Sequence, residues 1–270
     1  MSSRIRLGTQ GWNYTAWVGP FYPDGTRTTD FLSVYARAFD TVEVDSTFYA
    51  IPPARTVRDW AARTPPGFRF SLKMPQEITH ENGLRNSESL TRLFFERAGE
   101  LGDKLGAVLI QLAPGFGPSE LPALASFLPT LPSSQVSIAI EFRQRNWIHD
   151  GVIALLAEHN VALALADARW IPRKVMQTLA ARPTADFAYL RWMGPNRDIM
   201  DYSRIQFDRT RELESWAAVV AALARKVKTV YGYVNNHFSG HSPASVRQLQ
   251  QMLGMHVVQP DELGDQLSFL

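Results

Sequence analysis

Glu43, Asp45, Lys73, Gln111, Glu141, Asp167, Arg191 and Asn235 stand at the carboxyl ends of short apolar runs spread through the chain. If those ends meet, carboxylates, an ammonium and a guanidinium share one partly dry space. Crowded charges of both signs shift one another's pKa values, which is what a general acid and a general base require. Glu43, Glu141 and Asp167 are then the candidate acid–base groups, and Lys73 the candidate stabiliser of developing negative charge. A Schiff base on Lys73 is a second role open to the same amine. The plainer alternative is that Lys73–Glu43 and Arg191–Glu141 are structural ion pairs that fill a core.

The runs themselves say what would bring these residues together. They occupy residues 5–10, 41–45, 68–73, 107–111, 136–141, 162–167, 187–191 and 229–235. Their starts lie roughly 25 to 42 residues apart, the length of one strand–helix unit, and helical patterns fill the gaps. Eight such units predict an α/β fold, a (β/α)8 TIM barrel in one domain spanning 1–270, with 254–270 a tail packing on the barrel. In that fold the strands' carboxyl ends build the active site. Period two sorts each strand into two faces. Val42 and Val44 oppose Glu43 and Asp45; Phe68, Phe70 and Leu72 oppose Arg69, Ser71 and Lys73; Ile138 and Ile140 oppose Ala139 and Glu141. Asp167 shares its face with Leu163 and Leu165. The apolar faces are expected to meet the helices and the charged ends to form a ring in the mouth.

Around that ring the basic residues cluster. The chain has 23 Arg and 5 Lys, a skew that reflects either coding composition or anion recognition by the guanidinium fork. Arg143, Arg145, Arg169, Arg173, Lys174, Arg191 and Arg197 all follow strands 5 to 7. Ser242-Pro243 opens the last long helix, whose free N–H groups can hold an anion unless Ser242 only caps it. Asn235, Asn236 and His237 are placed to orient substrate, with His237 a hydrogen-bonder or proton carrier. Trp12, Tyr49 and Trp147 follow strand ends and are placed to stack on a sugar or base, or else pack under the loops. Together these residues point to a small anionic ligand.

Other chemistries find less support. Without cysteine there is no disulfide, thiolate metal site or cysteine nucleophile. Phosphate loop, dinucleotide fingerprint, nucleophile elbow and HExxH are all missing. Of the six histidines, His237 and His241 lie four apart but at a strand–loop exit and not on a helix, so no metal and no cofactor is expected. The most apolar stretch, 152–166, carries Glu158, His159 and Asn160, and residues 1–6 show no signal-peptide core. A cytoplasmic monomer is the expectation. A net charge of +2 sets up no global field for nucleic acid.

Several motifs resemble the YecE-like family, domain of unknown function family 72. They are Gly8-Thr9-Gln10-Gly11-Trp12 with Trp17 and Phe21-Tyr22-Pro23, Val42-Glu43-Val44-Asp45-Ser46-Thr47-Phe48-Tyr49, and Phe70-Ser71-Leu72-Lys73 with Thr79-His80. Gln111-Leu112, Glu141-Phe142-Arg143 with Trp147, Tyr189-Leu190-Arg191, and Asn235-Asn236-His237 with Gly240 complete the set. The resemblance implies a TIM barrel, similar in outline to metal-dependent sugar isomerases and endonuclease-IV-type nucleases, and supplies no reaction. Gln10 stands where Ser is usual in the family and Asp45 where Asn is; Gln144 and Met193 stand where His often appears. These departures shift the expected chemistry towards carboxylates and Lys73. The leading expectation is a metal-independent enzyme acting on a phosphate-bearing or sugar-like anion. A nucleic-acid-binding or repair protein using the arginine arc is the alternative, and a non-catalytic ligand-binding barrel a third.

Overall fold

The computed structural model describes residues 4–195 and 198–265. Among the described residues, nine strands carry the core: β1 (Arg4–Thr9), β2 (Thr41–Val44), β3 (Arg69–Lys73), β4 (Leu105–Gln111), β5 (Ser137–Glu141), β6 (Val161–Leu163), β7 (Leu165–Ala168), β8 (Phe187–Gly194) and β9 (Thr229–Val234). All pairings are parallel, in two sheets ordered β1-β9-β8-β7 and β2-β3-β4-β5-β6. The sixth predicted strand is therefore two short ones, broken at Ala164. Its first part pairs with one sheet and its second with the other, and the Ala164 N–H still donates to Ile140 O at 2.8 Å. On the far side Gln10 and Glu43 form an isolated parallel bridge, and the Gly11 N–H donates to Glu43 O at 2.8 Å. Gly8 permits that approach: a Cβ there would lie 2.1 Å from Thr41 O. The result is a TIM-barrel-like arrangement of parallel sheets.

Alternation along the strands sets two cores. Val42, Val44, Phe70, Leu72, Ile138, Ile140 and Trp192 belong to the large outer core under the helices. Ala107, Leu109, Ala139, Ala162, Ala164, Phe187, Tyr189, Tyr231 and Tyr233 fill the inside. Small residues on β4 to β6 thus face large aromatics on β8 and β9, so the interior is a packed core. Polar tips are satisfied within it: the Tyr233 hydroxyl meets Thr41 Oγ1 at 2.8 Å and Ser71 Oγ at 2.6 Å.

The helices are α1 (Phe31–Ala38), α2 (Ala54–Ala62), α3 (Glu88–Gly99), α4 (Leu121–Phe127), α5 (Asp150–Glu158), α6 (Arg173–Leu179), α7 (Thr210–Leu223), α8 (Asn236–Ser239), α9 (Ser242–Met252) and α10 (Pro260–Asp265). The loop after β3 contains one π-helical turn, Glu77–Glu81. The C-terminal tail returns to α1, where Leu263 is buried and Arg37 Nη2 donates to Glu262 O at 3.3 Å. Arg197 and residues 266–270 lie outside the described residues.

Candidate functional site at the strand ends

Arg191 is the centre of the mouth. Period two places it inside with Phe187 and Tyr189, and it is only 1% exposed. Its Nε and Nη2 grip Glu43, with Nη2–Oε1 at 2.7 Å and Nε–Oε2 at 2.9 Å, while Nη1 donates to Glu141 Oε2 at 2.6 Å. The Tyr189 hydroxyl donates to Glu43 Oε2 at 2.6 Å. Gln111 Nε2 donates to Glu141 Oε1 at 2.7 Å, and Gln111 Oε1 accepts from Arg143 Nη2 at 2.6 Å. Both glutamates thus have both oxygens engaged. A guanidinium suits this task because its planar fork serves one carboxylate bidentately and still reaches a second.

One cation between two buried carboxylates leaves them unequal. Burial pushes the Glu43 carboxyl up to about 7, with Asp45 adding to the rise against the pull of Arg191. Burial acts on Glu141 too, but Arg191, Gln111 and Arg143 outweigh it and hold that carboxyl below the usual range. Unequal environments of this sort separate an acid from a base.

Lys73 differs from every other charge in the group. It is 9% exposed, and its Nζ lies 3.7 Å from the centre of the Phe48 ring. Its Nζ makes no hydrogen bond or ion pair among the described residues, so the expected Lys73–Glu43 pair does not form. Burial and the neighbouring Arg191 lower its pKa to about 8, while Asp45, Glu43 and Glu141 pull the other way. His80 packs edge-on against Phe48 at 5.0 Å. Burial, then Arg143 and Lys73, lower the His80 pKa to about 4. Asp45 lies 3.9 Å from Arg191, and its Oδ1 is buried without a hydrogen-bond partner. Asn235 Nδ2 donates to Gln10 Oε1 at 2.7 Å, while its own Oδ1 caps α8 through the His237 N–H.

Two concavities open beside this group. One of about 480 Å³ is lined by Trp12, Tyr14, Asp45 and Trp60 among others. The other, about 60 Å³, is bounded by Gln111, Glu141, Arg143, Trp170, Met193 and His237 among others. His237 Nε2 lies 3.3 Å from the Tyr202 hydroxyl. Tyr49 is 74% exposed and lines neither concavity.

Four expected site residues are placed elsewhere. Asp167 points to the helices: its Oδ2 accepts from Arg173 Nε at 2.7 Å and Trp216 Nε1 at 2.8 Å. Its face-mates Leu163 and Leu165 lie in the outer core, so alternation prevails over the expectation that every charged strand end turns inward. Trp147 is fully buried, stacked between Phe116 and Phe142, with its Nε1–H on Phe116 O. Ser242 and Asn236 are buried against each other; Asn236 Oδ1 accepts from the Ser242 N–H at 3.0 Å and from its hydroxyl at 2.8 Å. The start of α9 is thus filled by the protein's own amide rather than presented to an anion. His241, not Ser242, occupies the N-cap position. Sequence reasoning gives Tyr189 a place in a family motif but no site role, although its spacing of two from Arg191 carries the signal.

No group of three or more His, Asp or Glu side chains among the described residues is placed to hold a metal ion. No helix among them is long and apolar enough to cross a membrane.

Fold and site together define a TIM-barrel-like protein of parallel strands with a buried arginine–carboxylate group at their carboxyl ends. The chain belongs to the family described as "Protein of unknown function DUF72", whose model it matches over residues 6–266. It is 24% identical over 269 residues to UPF0759 protein YunF of Bacillus subtilis, covering 92% of this chain and 94% of that one. To UPF0759 protein YecE of Escherichia coli K12 it is 34% identical over 147 residues, 54% of this chain; that match spans about half, 51%, of the relative's length. The crystal structure of a DUF72 family protein from Thermotoga maritima superposes with a TM-score of 0.76 at 24% identity, covering 93% of this chain and 99% of that one. A DUF72 family protein from Enterococcus faecalis gives 0.73 at 23% identity, over 94% and 99%. At these identities the structural likeness speaks for the fold.

Proposed function

We propose that the two sheets form one closed (β/α)8-barrel domain, and that its mouth binds and transforms a small, hydroxyl-bearing anion without a metal ion. The observation that carries this reading is Lys73: a largely buried ammonium with no hydrogen bond or ion pair among the described residues. Burying a cation is costly unless something compensates it. The nearby glutamates are committed to Arg191, so an anion from outside is the natural partner. Asp45 Oδ1, a buried acceptor lacking a donor, suits a ligand hydroxyl. Arg143 and His237 border the small cavity on the Glu141 side, and Trp12 lies in the larger one, where a ring can rest against it. The pKa separation of Glu43 and Glu141 provides for proton movement once the ligand loosens their hold on Arg191.

The test is a thermal-shift and calorimetric screen of sugar phosphates, sugar acids and short single-stranded DNA at low and high salt. Saturable binding of a phosphosugar that survives moderate salt and disappears in Lys73→Met is the expected result. Binding of DNA alone, with steep salt dependence and no effect of Lys73→Met, would favour a nucleic-acid role instead. Unchanged Tm with every small anion would remove the anion reading.

A further inference from the structure

We propose that Lys73 is a nucleophile that forms an imine with the carbonyl of an anionic aldehyde or ketone. This rests on the reading of the mouth as an anion site and specifies the substrate class.

An imine-forming amine needs a free lone pair, a water-poor surrounding and an open approach. A lysine held in an ion pair fails the first condition. Here Arg191 has taken that place, occupying Glu43 with three donor contacts and Glu141 with one. Lys73 ends β3 on the inner face, as Ser71 does, and nothing among the described residues accepts from its Nζ. The Phe48 face covers one side of the amine at 3.7 Å, and the residue as a whole is 9% exposed. The groups bearing on it are Glu43 and Asp45 from β2 and its exit, Glu141 from β5, Arg191 from β8, and His80 after β3. The lowered Lys73 pKa, about 8, leaves roughly a tenth of the amine neutral at pH 7.

The other four lysines are built differently. Lys104 Nζ is tied to Ala61 O at 2.6 Å, Lys226 Nζ to Ala181 O at 2.7 Å, and Lys228 Nζ to Asp186 at 2.7 Å. Lys174 lies exposed on α6. Lys73 alone combines burial, a π face and an uncommitted amine.

The step balances. The Nζ lone pair attacks the carbonyl carbon, the C–N bond forms, and the carbonyl π pair moves to oxygen, which takes a proton. Loss of that oxygen as water, with the two hydrogens of the neutral amine accounted for in it, leaves C=N. Asp45 is the positioned proton carrier, since its Oδ1 is the buried carboxylate oxygen in this group with no hydrogen bond. No oxidant or reductant is required.

The experiment uses the whole chain, with glyoxylate or pyridoxal 5′-phosphate as probe and borohydride to fix the adduct, followed by peptide mass mapping. The expected result is modification of Lys73 at pH 7 at least about tenfold faster than of the exposed Lys174, because the lowered Lys73 pKa leaves part of its amine neutral there. Lys73→Arg keeps the positive charge: it should retain binding of a phosphosugar and lose the trapped adduct. Adducts confined to Lys174, Lys226 and Lys228 at every pH would overturn the imine. If a phosphosugar then still binds in a Lys73-dependent way, the anion site stands without it; if none binds, both readings fall.

Discussion

Two charged regions meet at the mouth and obey opposite rules. Around Arg191 every oxygen of Glu43 and Glu141 has a donor. Around Lys73 the charge is nearly as buried, but its Nζ bonds none of the nearby carboxylates and lies against a phenyl ring that packs on a neutral histidine. The first arrangement is what a protein needs to carry ions inside itself; the second is what it retains when part of the structure comes from a ligand. Completeness of hydrogen bonding therefore separates support from reaction site better than burial does.

Substitutions can break that contrast. Arg191→Met leaves two carboxylates buried side by side and should cost about 3–5 kcal/mol in denaturant unfolding; a loss below about 1 kcal/mol would mean the group is far wetter than described. Lys73→Met should do the reverse and stabilise by about 1–3 kcal/mol near pH 7, because it removes an uncompensated buried charge. The sign of the pH dependence follows. Between about 8 and the ordinary lysine value near 10.5, the unfolded chain holds a proton that the folded chain has released. Wild-type stability therefore rises across that window relative to Lys73→Met, and the two curves should converge near its upper end. A constant gap from pH 7 to 11 would contradict the lowered pKa.

Asp167→Asn sharpens the contrast from outside the site. It weakens the tie from β7 to Arg173 and Trp216, which should cost about 1–2 kcal/mol while leaving ligand binding unchanged. Loss of binding at unchanged stability would return Asp167 to the mouth. Smallest is Ser242→Ala, expected at about 0.5–1.5 kcal/mol from its hydroxyl's bond to Asn236, with no change in phosphate affinity.

Much of this is legible in the residue pattern. The apolar runs mark the strands, and alternation brings Glu43, Lys73, Gln111, Glu141 and Arg191 to one face of them. Followed consistently, the same alternation sends Asp167 outward with Leu163 and Leu165. The break at Ala164 is less legible, because Ala162, Ala164 and Ala166 look the same in a continuous strand. Who pairs with whom is set by distance across the interior, so local spacing cannot reveal that Arg191 rather than Lys73 takes Glu43. The long loops hide most. Whether Trp147 meets a ligand or Phe142, and whether Asn236 meets substrate or Ser242, depends on how each loop folds back on its own elements.

The grip of Arg191 also has a mechanical meaning. It extends from β8, in one sheet, while both of its carboxylates belong to the other. Sliding one sheet along the other would tear that clamp before disturbing much apolar packing. Amides of β2, β5 and β8 should accordingly exchange with deuterium as a single cooperative unit, and in Arg191→Met the two sheets should begin to open separately.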